Sequence, residues 1–373
     1  MTGSRVDYIN IALMLAACAV AFAIPFELFL FSYAVLGPLH YLTEISWLHK
    51  RNYFALKSKD WRILYVAGIA ILTFTFFDDF LIWISGSGVT SLDELRRINP
   101  GMANAADWMD NQSTGLTFFA FASALIMILV NGKLARFGAY AILAIVGLGL
   151  SGKFGHPSST PGEQDPFFYL LFAIFLPTLI HVYIFTAAFM LFGALKGKSQ
   201  VGILSVLVLL ACGISFFLFR PEGMFAISDY TRGSYDVSFL GLNIEMIQIL
   251  VPQVEIRAFL QANPELSYIY DSNWGIVITR FIAFAYTYHY LNWFSKTEII
   301  RWHEVPKSWL ISIFVLWGLS IALYAYNYRV GLLALYFLSF LHVFLEFPLN
   351  WLSFKGIGEE LGKRVFSSKS SAT

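Results

Sequence analysis

"LGPLHYLTEISWLHK", Leu36 to Lys50, puts a histidine and a glutamate four residues apart in a stretch whose other side chains are mostly apolar. Taken as most of a span near residues 27–48, it is a membrane helix with an imidazole and a carboxylate on one face. A second stretch, "FLSFLHVFLEFPLNW" (Phe337 to Trp351), repeats the spacing with His342 and Glu346.

The rest of the chain places both stretches in a membrane. Of 373 residues, 58% are hydrophobic and only 13% are charged, which excludes an ordinary soluble globule. Many apolar runs approach the roughly 20 residues that cross a hydrocarbon core about 30 Å thick. A net charge of +1 offers no basic surface for nucleic acid. The two cysteines, Cys18 and Cys212, lie in apolar runs and form neither a disulfide framework nor a zinc spacing.

The flanks of the runs predict ten spans, near residues 8–25, 27–48, 62–86, 113–132, 136–152, 167–193, 201–219, 275–295, 308–326 and 330–353. The positive-inside rule tests that count. With the N-terminus in the cytoplasm, inner segments collect Arg5, Lys50, Arg51, Lys57, Lys59 and Arg62, then Lys133 and Arg136, then Lys196 and Lys198. Lys296, Arg301, Lys307, Lys355, Lys363, Arg364 and Lys369 follow on the same side. Outer segments hold Arg96, Arg97, Lys153, Arg220, Arg232, Arg257 and Arg329, and Arg280 falls inside a span. Every short inner loop is basic. The expected fold is an all-α bundle of about ten spans with both termini cytoplasmic.

The chain reads as one integral membrane domain, residues 1–373, with the inner membrane of a bacterial-type cell as its expected location. Outer segments near 88–112 and 220–274 are too long for simple turns and read as short loop or lid-like helices, the second broken at Pro252. A short polar tail, 366–373, closes the chain and is expected to be disordered. "MLAACAV" around Cys18 resembles a bacterial lipobox, but another apolar span follows at once, so a first membrane span is the preferred reading.

Ionisable side chains inside a bilayer are costly, so each is a functional candidate. His49, His156 and His303 fall in loops; His40, His181, His289 and His342 fall within spans. At about 1.5 Å per residue, they lie about 12, 19, 10 and 16 Å from the inner ends of their spans, all in the cytoplasmic half. Glu44 and Glu346 each lie one turn nearer the cytoplasm than their histidine. "AYTYHYLNWFSK" adds Tyr286, Tyr290, Asn292 and Lys296 around His289. Asp78 and Asp79 lie at a depth compatible with pairing to Arg280, and Glu27 reads as interfacial. Lys153 and Lys296 sit at span ends, which disfavours a Schiff-base lysine for retinal.

Three explanations fit such a layer. Neutral imidazoles with carboxylates behind them suit iron, copper or zinc. The same groups suit a proton or ion pathway through a transporter or channel. They also suit a scaffold whose polar groups hold helices together.

The pattern of "GPLHYLTE", a histidine followed four residues later by an acid, resembles a motif of the bacteriorhodopsin-associated membrane carotene dioxygenases, and "FLHVFLEFPLN" is similar to that family's late histidine–acid segment. The acid here is Glu where that family has Asp, and its proline–histidine–glycine sequence is absent. The resemblance covers these short segments only. It implies an iron-binding enzyme with a lipophilic substrate, and carries a ligand role to His40, His289 and His342, with His181 as a fourth candidate.

The expected function is therefore metal-dependent oxidation or oxygenation of a lipid-like molecule. His40, His181, His289 and His342 are the metal candidates, and Glu44 and Glu346 are ligands or bases. Tyr290 and Asn292 would orient substrate. The expected partners are the bilayer and a lipophilic small molecule, with no nucleic acid. A cytoplasm-dependent reporter inserted between Lys196 and Ser199 is expected to be active, and one inserted near Arg220 silent. The opposite pattern, read by reporter activity in cells, would refute the assigned orientation.

Overall fold

The computed structural model describes residues 3–51, 60–86, 88–157, 165–220, 226–237, 239–260, 267–296, 301 and 303–370. Lys57 and Lys59 of the expected basic loop lie outside the described residues. Among the described residues all regular structure is helical. Eight helices are long and apolar enough to cross a membrane. A ninth span results if Trp61–Thr75 and Phe77–Ile84, bent by 51° at Phe76, count as one broken crossing. The span expected near 275–295 is a 23-residue helix, Asn273–Ser295, but it is not in that set. Arg280, His289, Asn292 and its tyrosines lower its hydropathy.

The chain divides into two compact units. The first comprises residues 1–51, 178–335 and 349–373, and the second residues 52–177 and 336–348. The first unit opens with α1 (Gly3–Ala23) and α2 (Pro25–Phe31). A π-helical turn, Ser32–Leu36, then leads into α3 (Gly37–Arg51).

The second unit begins with α4 (Trp61–Thr75), α5 (Phe77–Ile84), α6 (Leu92–Ile98), α7 (Pro100–Leu129) and α8 (Lys133–Phe154). The chain then passes through α9 (Phe167–Tyr169) into a long π-helical stretch, Leu170–Phe185, which carries it back to the first unit. There follow α10 (Thr186–Lys196), α11 (Gln200–Leu218) and four short helices: α12 (Asp229–Asp236), α13 (Leu240–Leu250), α14 (Gln253–Leu260) and α15 (Ser267–Asp271). The last three are α16 (Asn273–Ser295), α17 (Lys307–Tyr326) and α18 (Tyr328–Ser370). The middle of α18, Tyr336–Pro348, belongs to the second unit and its two ends to the first.

In the first unit α16 is the hub. It packs against α1, α2, the π turn, α3, α11, α13 and α15, and is buried on nearly every face. Its polar side chains are matched across these contacts. Ser32 and Thr287 share a 2.7 Å hydroxyl bond, Trp293 donates to Thr43 at 2.9 Å, and Tyr288 donates to Asn10 at 3.0 Å. Arg280 donates from Nε to the Phe22 carbonyl at 3.1 Å and lies over the Phe22 ring. Such small-residue and hydroxyl contacts hold helices together where lipid removes any hydrophobic drive for association. Ser272 caps the start of α16 by accepting from the Gly275 N–H at 2.9 Å.

In the second unit α7 packs between α4 and α8. Gly115 and Gly147 let α7 and α8 approach so closely that a Cβ on Gly115 would strike the Gly147 carbonyl oxygen and the Ser151 hydroxyl. Thr114 donates to the Gly155 carbonyl at 2.5 Å along the same seam. Asp60 at the start of α4 receives Arg136 at 2.9 Å and the Tyr140 hydroxyl at 3.3 Å. Thr90 donates its N–H and hydroxyl to Glu94 at 2.6 and 2.8 Å, which holds that carboxyl below its ordinary range. Gly115→Val is expected to open the α7–α8 seam and cost about 1–3 kcal/mol. A drop of several degrees in the unfolding midpoint in detergent would verify it, and an unchanged midpoint would refute the close packing.

Candidate metal centre

Three helices of the first unit deliver the site's side chains. His40 and Glu44 project from α3, His289 and Tyr290 from α16, and His181 from the long π-helical stretch. All five are buried. The Nε2 atoms of His40 and His289 are 3.1 Å apart, and His40 Nε2 lies a further 3.1 Å from Glu44 Oε2. The His181 ring stands 4.7 Å from that of His289, at 64°. The Tyr290 ring packs 5.2 Å from His40 and 5.5 Å from His289.

The far side of His289 is fixed by Thr186, whose hydroxyl oxygen is 2.8 Å from Nδ1. That contact sets the direction in which Nε2 points, as an outer hydrogen bond does for metal-ligating histidines. Thr186 follows His181 by five residues. In an α-helix five residues turn about 500°, which leaves two side chains roughly 140° apart. Wider π winding, at about 4.4 residues per turn, reduces that to roughly 50°. The π stretch therefore turns both His181 and Thr186 towards His289.

Beside His40 the site is closed by tryptophan. Trp293 lies 5.6 Å from His40 and 5.6 Å from Trp47, and is pinned by its bond to Thr43. Gly37 makes room for Tyr290, because a Cβ there would lie 3.2 Å from the phenol oxygen. Asn292, one turn beyond His289, is buried, and among the described residues neither its Oδ1 nor Glu44 Oε2 has a hydrogen-bond partner. A buried polar atom left in this way costs about 1–3 kcal/mol.

The geometry allows two chemistries at one point. A separation of 3.1 Å fits an N–H···N hydrogen bond between the imidazoles. It equally fits two nitrogens on one cation: with metal–nitrogen bonds of about 2.0–2.1 Å, the angle at the metal is roughly 100°. The carboxylate adds a third donor near the same nitrogen. A proton satisfies one pair of lone pairs, whereas a metal satisfies all three at once.

Of the residues expected from sequence, the first unit brings together His40, Glu44, His181, His289 and Tyr290, with Asn292 one turn away. His342 and Glu346 lie in the part of α18 that belongs to the second unit. His342 is buried there, and the neighbouring Phe344 and Phe347 pack edge-on against Phe121 at 5.0 and 4.8 Å. His49 and His303 are exposed, and His156 lies in a loop with Nδ1 3.0 Å from the Pro157 carbonyl. Thr186, Thr43 and Trp293 were not foreseeable as site residues. A threonine or tryptophan in an apolar run carries no signal until its partner is known.

Compared with the models of known protein families, with curated proteins and with solved structures, the chain shows no match. The functional reading therefore rests on the site itself.

Proposed function

We propose that the protein is an intramembrane metal-dependent oxidoreductase or oxygenase acting on a lipophilic substrate. His40 and His289, buried histidines of the kind that hold a metal ion, are the proposed ligands, with Glu44 as the carboxylate donor. The observation that carries this reading is the convergence of the His40, His289 and Glu44 donor atoms within 3.1 Å of His40 Nε2. His181 is a fourth candidate ligand, and Glu346 answers Glu44 by repeating its spacing on α18.

Histidines with a carboxylate are the donor set of non-haem iron sites that keep positions open for oxygen, so iron is the proposed metal. Bound there, it would supply the one-electron chemistry towards oxygen that no side chain provides. The chain's own groups do the rest. Thr186 orients His289, and Tyr290 presents a phenol beside both imidazoles. Asn292 offers a buried amide oxygen to a donor on substrate, and Trp47 with Trp293 limits water from the cytoplasmic side. The bilayer supplies the lipophilic substrate directly to the buried site.

Detergent-purified protein is expected to contain near-stoichiometric iron or another transition metal by elemental analysis, and His40→Ala should remove it. A folded, metal-free protein that carries pH-dependent proton flux in liposomes would overturn the oxygenase reading in favour of a His/Glu relay. Loss of stability alone in the alanine variant, with neither metal nor flux in the parent, would make the cluster a scaffold.

Thr186→Val tests the orienting contact separately. Loss of such an outer-shell hydrogen bond typically weakens metal binding about 10–100-fold. The expected result is that loss in chelator competition with a nearly unchanged unfolding midpoint. Unaltered affinity would remove Thr186 from the site.

A further inference from the structure

Cys18 and Cys212 are far apart in the sequence, and folding brings them together. Cys18 is on α1 and Cys212 on α11, two helices that pack directly against each other in the first unit. Both cysteines are free, and their thiols are hydrogen-bonded to each other. A serine ties the pair from one side. Ser215 Oγ lies 3.7 Å from Cys18 Sγ and donates to the Cys212 carbonyl at 2.7 Å. When Cys18 gives up its proton, its sulfur therefore has two donors within reach, the Cys212 thiol and the Ser215 hydroxyl.

The two helices also agree on depth. In the expected topology both run from the cytoplasmic to the outer face. Cys18 and Cys212 then lie roughly 8 and 9 Å below the outer ends of their helices, at about 1.5 Å per residue. The pair is buried but not sealed. The cysteines are 9% and 6% exposed, and the flanking Leu15, Ala19, Ala211 and Ile214 are exposed. Surface at that depth meets hydrocarbon, so a reagent that reaches the pair through this rim is soluble in lipid.

Two thiols in contact have a chemistry that one lacks. A single buried cysteine behaves as a small, inert hydrophobe. A pair can pass from thiol through sulfenic acid to disulfide, because the second sulfur resolves the first.

We propose that Cys18 and Cys212 form a reversible redox pair, oxidised to a disulfide by hydroperoxides dissolved in the membrane. The Cys18 sulfur takes the terminal peroxide oxygen as the O–O bond breaks, and the thiol proton leaves on the departing alcohol. The Cys212 sulfur then attacks the sulfenic sulfur. The S–S bond forms, and the hydroxyl leaves with the Cys212 proton as water. The hydroperoxide gains the two electrons that the thiols lose. The new bond ties α11 to α1, the helix whose Asn10 and Phe22 carbonyl hold Tyr288 and Arg280 of α16.

The step needs no metal, so its test uses chelator-treated full chain in nanodiscs. The protein is exposed to cumene hydroperoxide, denatured, reacted with a maleimide and mapped by peptide mass spectrometry. Both thiols are expected to disappear together, a Cys18–Cys212 linked peptide to replace them, and dithiothreitol to restore both. The oxidised form should unfold at a higher midpoint than the reduced form. Cys212→Ser should leave a dimedone-reactive sulfenic acid at Cys18, and Cys18→Ser should leave Cys212 a thiol. Retention of both thiols at hydroperoxide levels that oxidise a lipid-anchored control thiol would overturn the proposal and make the pair packing residues. Loss of one thiol alone, or linkage between chains instead of within one, would equally refute it.

Discussion

A helix that carries Arg280, Thr287, His289 and Asn292 cannot present those groups to hydrocarbon, and the first unit is built around that constraint. In lipid an unmatched polar group has no water to turn to. The helix Asn273–Ser295 is therefore enclosed by protein on nearly every side, and its polar atoms dictate what the enclosing helices carry. Ser32 answers Thr287, Thr43 answers Trp293, Asn10 answers Tyr288, and the Phe22 carbonyl answers Arg280. Once those pairs are set, the helix His40 occupies has little freedom to slide or rotate. The 3.1 Å approach of His40 to His289 follows from contacts above and below it.

That enclosure also decides what the histidines can do. At an exposed site two imidazoles and a carboxylate would each be hydrated, and their proximity would mean little. Here Glu44 Oε2 is buried, 3.1 Å from His40 Nε2 and with no hydrogen-bond partner among the described residues. That approach admits either a shared proton or a shared cation, and burial raises the cost if neither is there.

Class and helix positions were legible because lipid leaves a strong mark on composition, and the expected apolar runs fall on helices, the one near 62–86 divided between two. The histidine layer was legible in outline, but His181 was placed about 9 Å from the level of His289. Their rings are 4.7 Å apart. A depth counted at about 1.5 Å per residue assumes α winding and an upright helix, and π winding around His181 breaks the first assumption. The 51° bend at Phe76 left no mark either, since "LTFTFFDDF" contains neither proline nor glycine. Thr186 and Trp293 were invisible for another reason. Their roles are set by partners more than one hundred residues away.

The π turn at Ser32–Leu36 shows how a local winding defect can be a condition for the site. Ser32 and His40 are eight residues apart and both face the central helix, bonding Thr287 and His289. Eight α-helical steps turn about 800°, which would leave the two side chains roughly 80° apart. Five π steps of about 82° with three α steps sum to roughly 710°, within about 10° of two whole turns. The turn thus puts the hydroxyl anchor and the imidazole on one face. The carbonyl at Val35 is taken up by Trp317, so the altered winding leaves that oxygen paired. Restoring α geometry would keep either the Ser32–Thr287 bond or the His40–His289 approach, but not both.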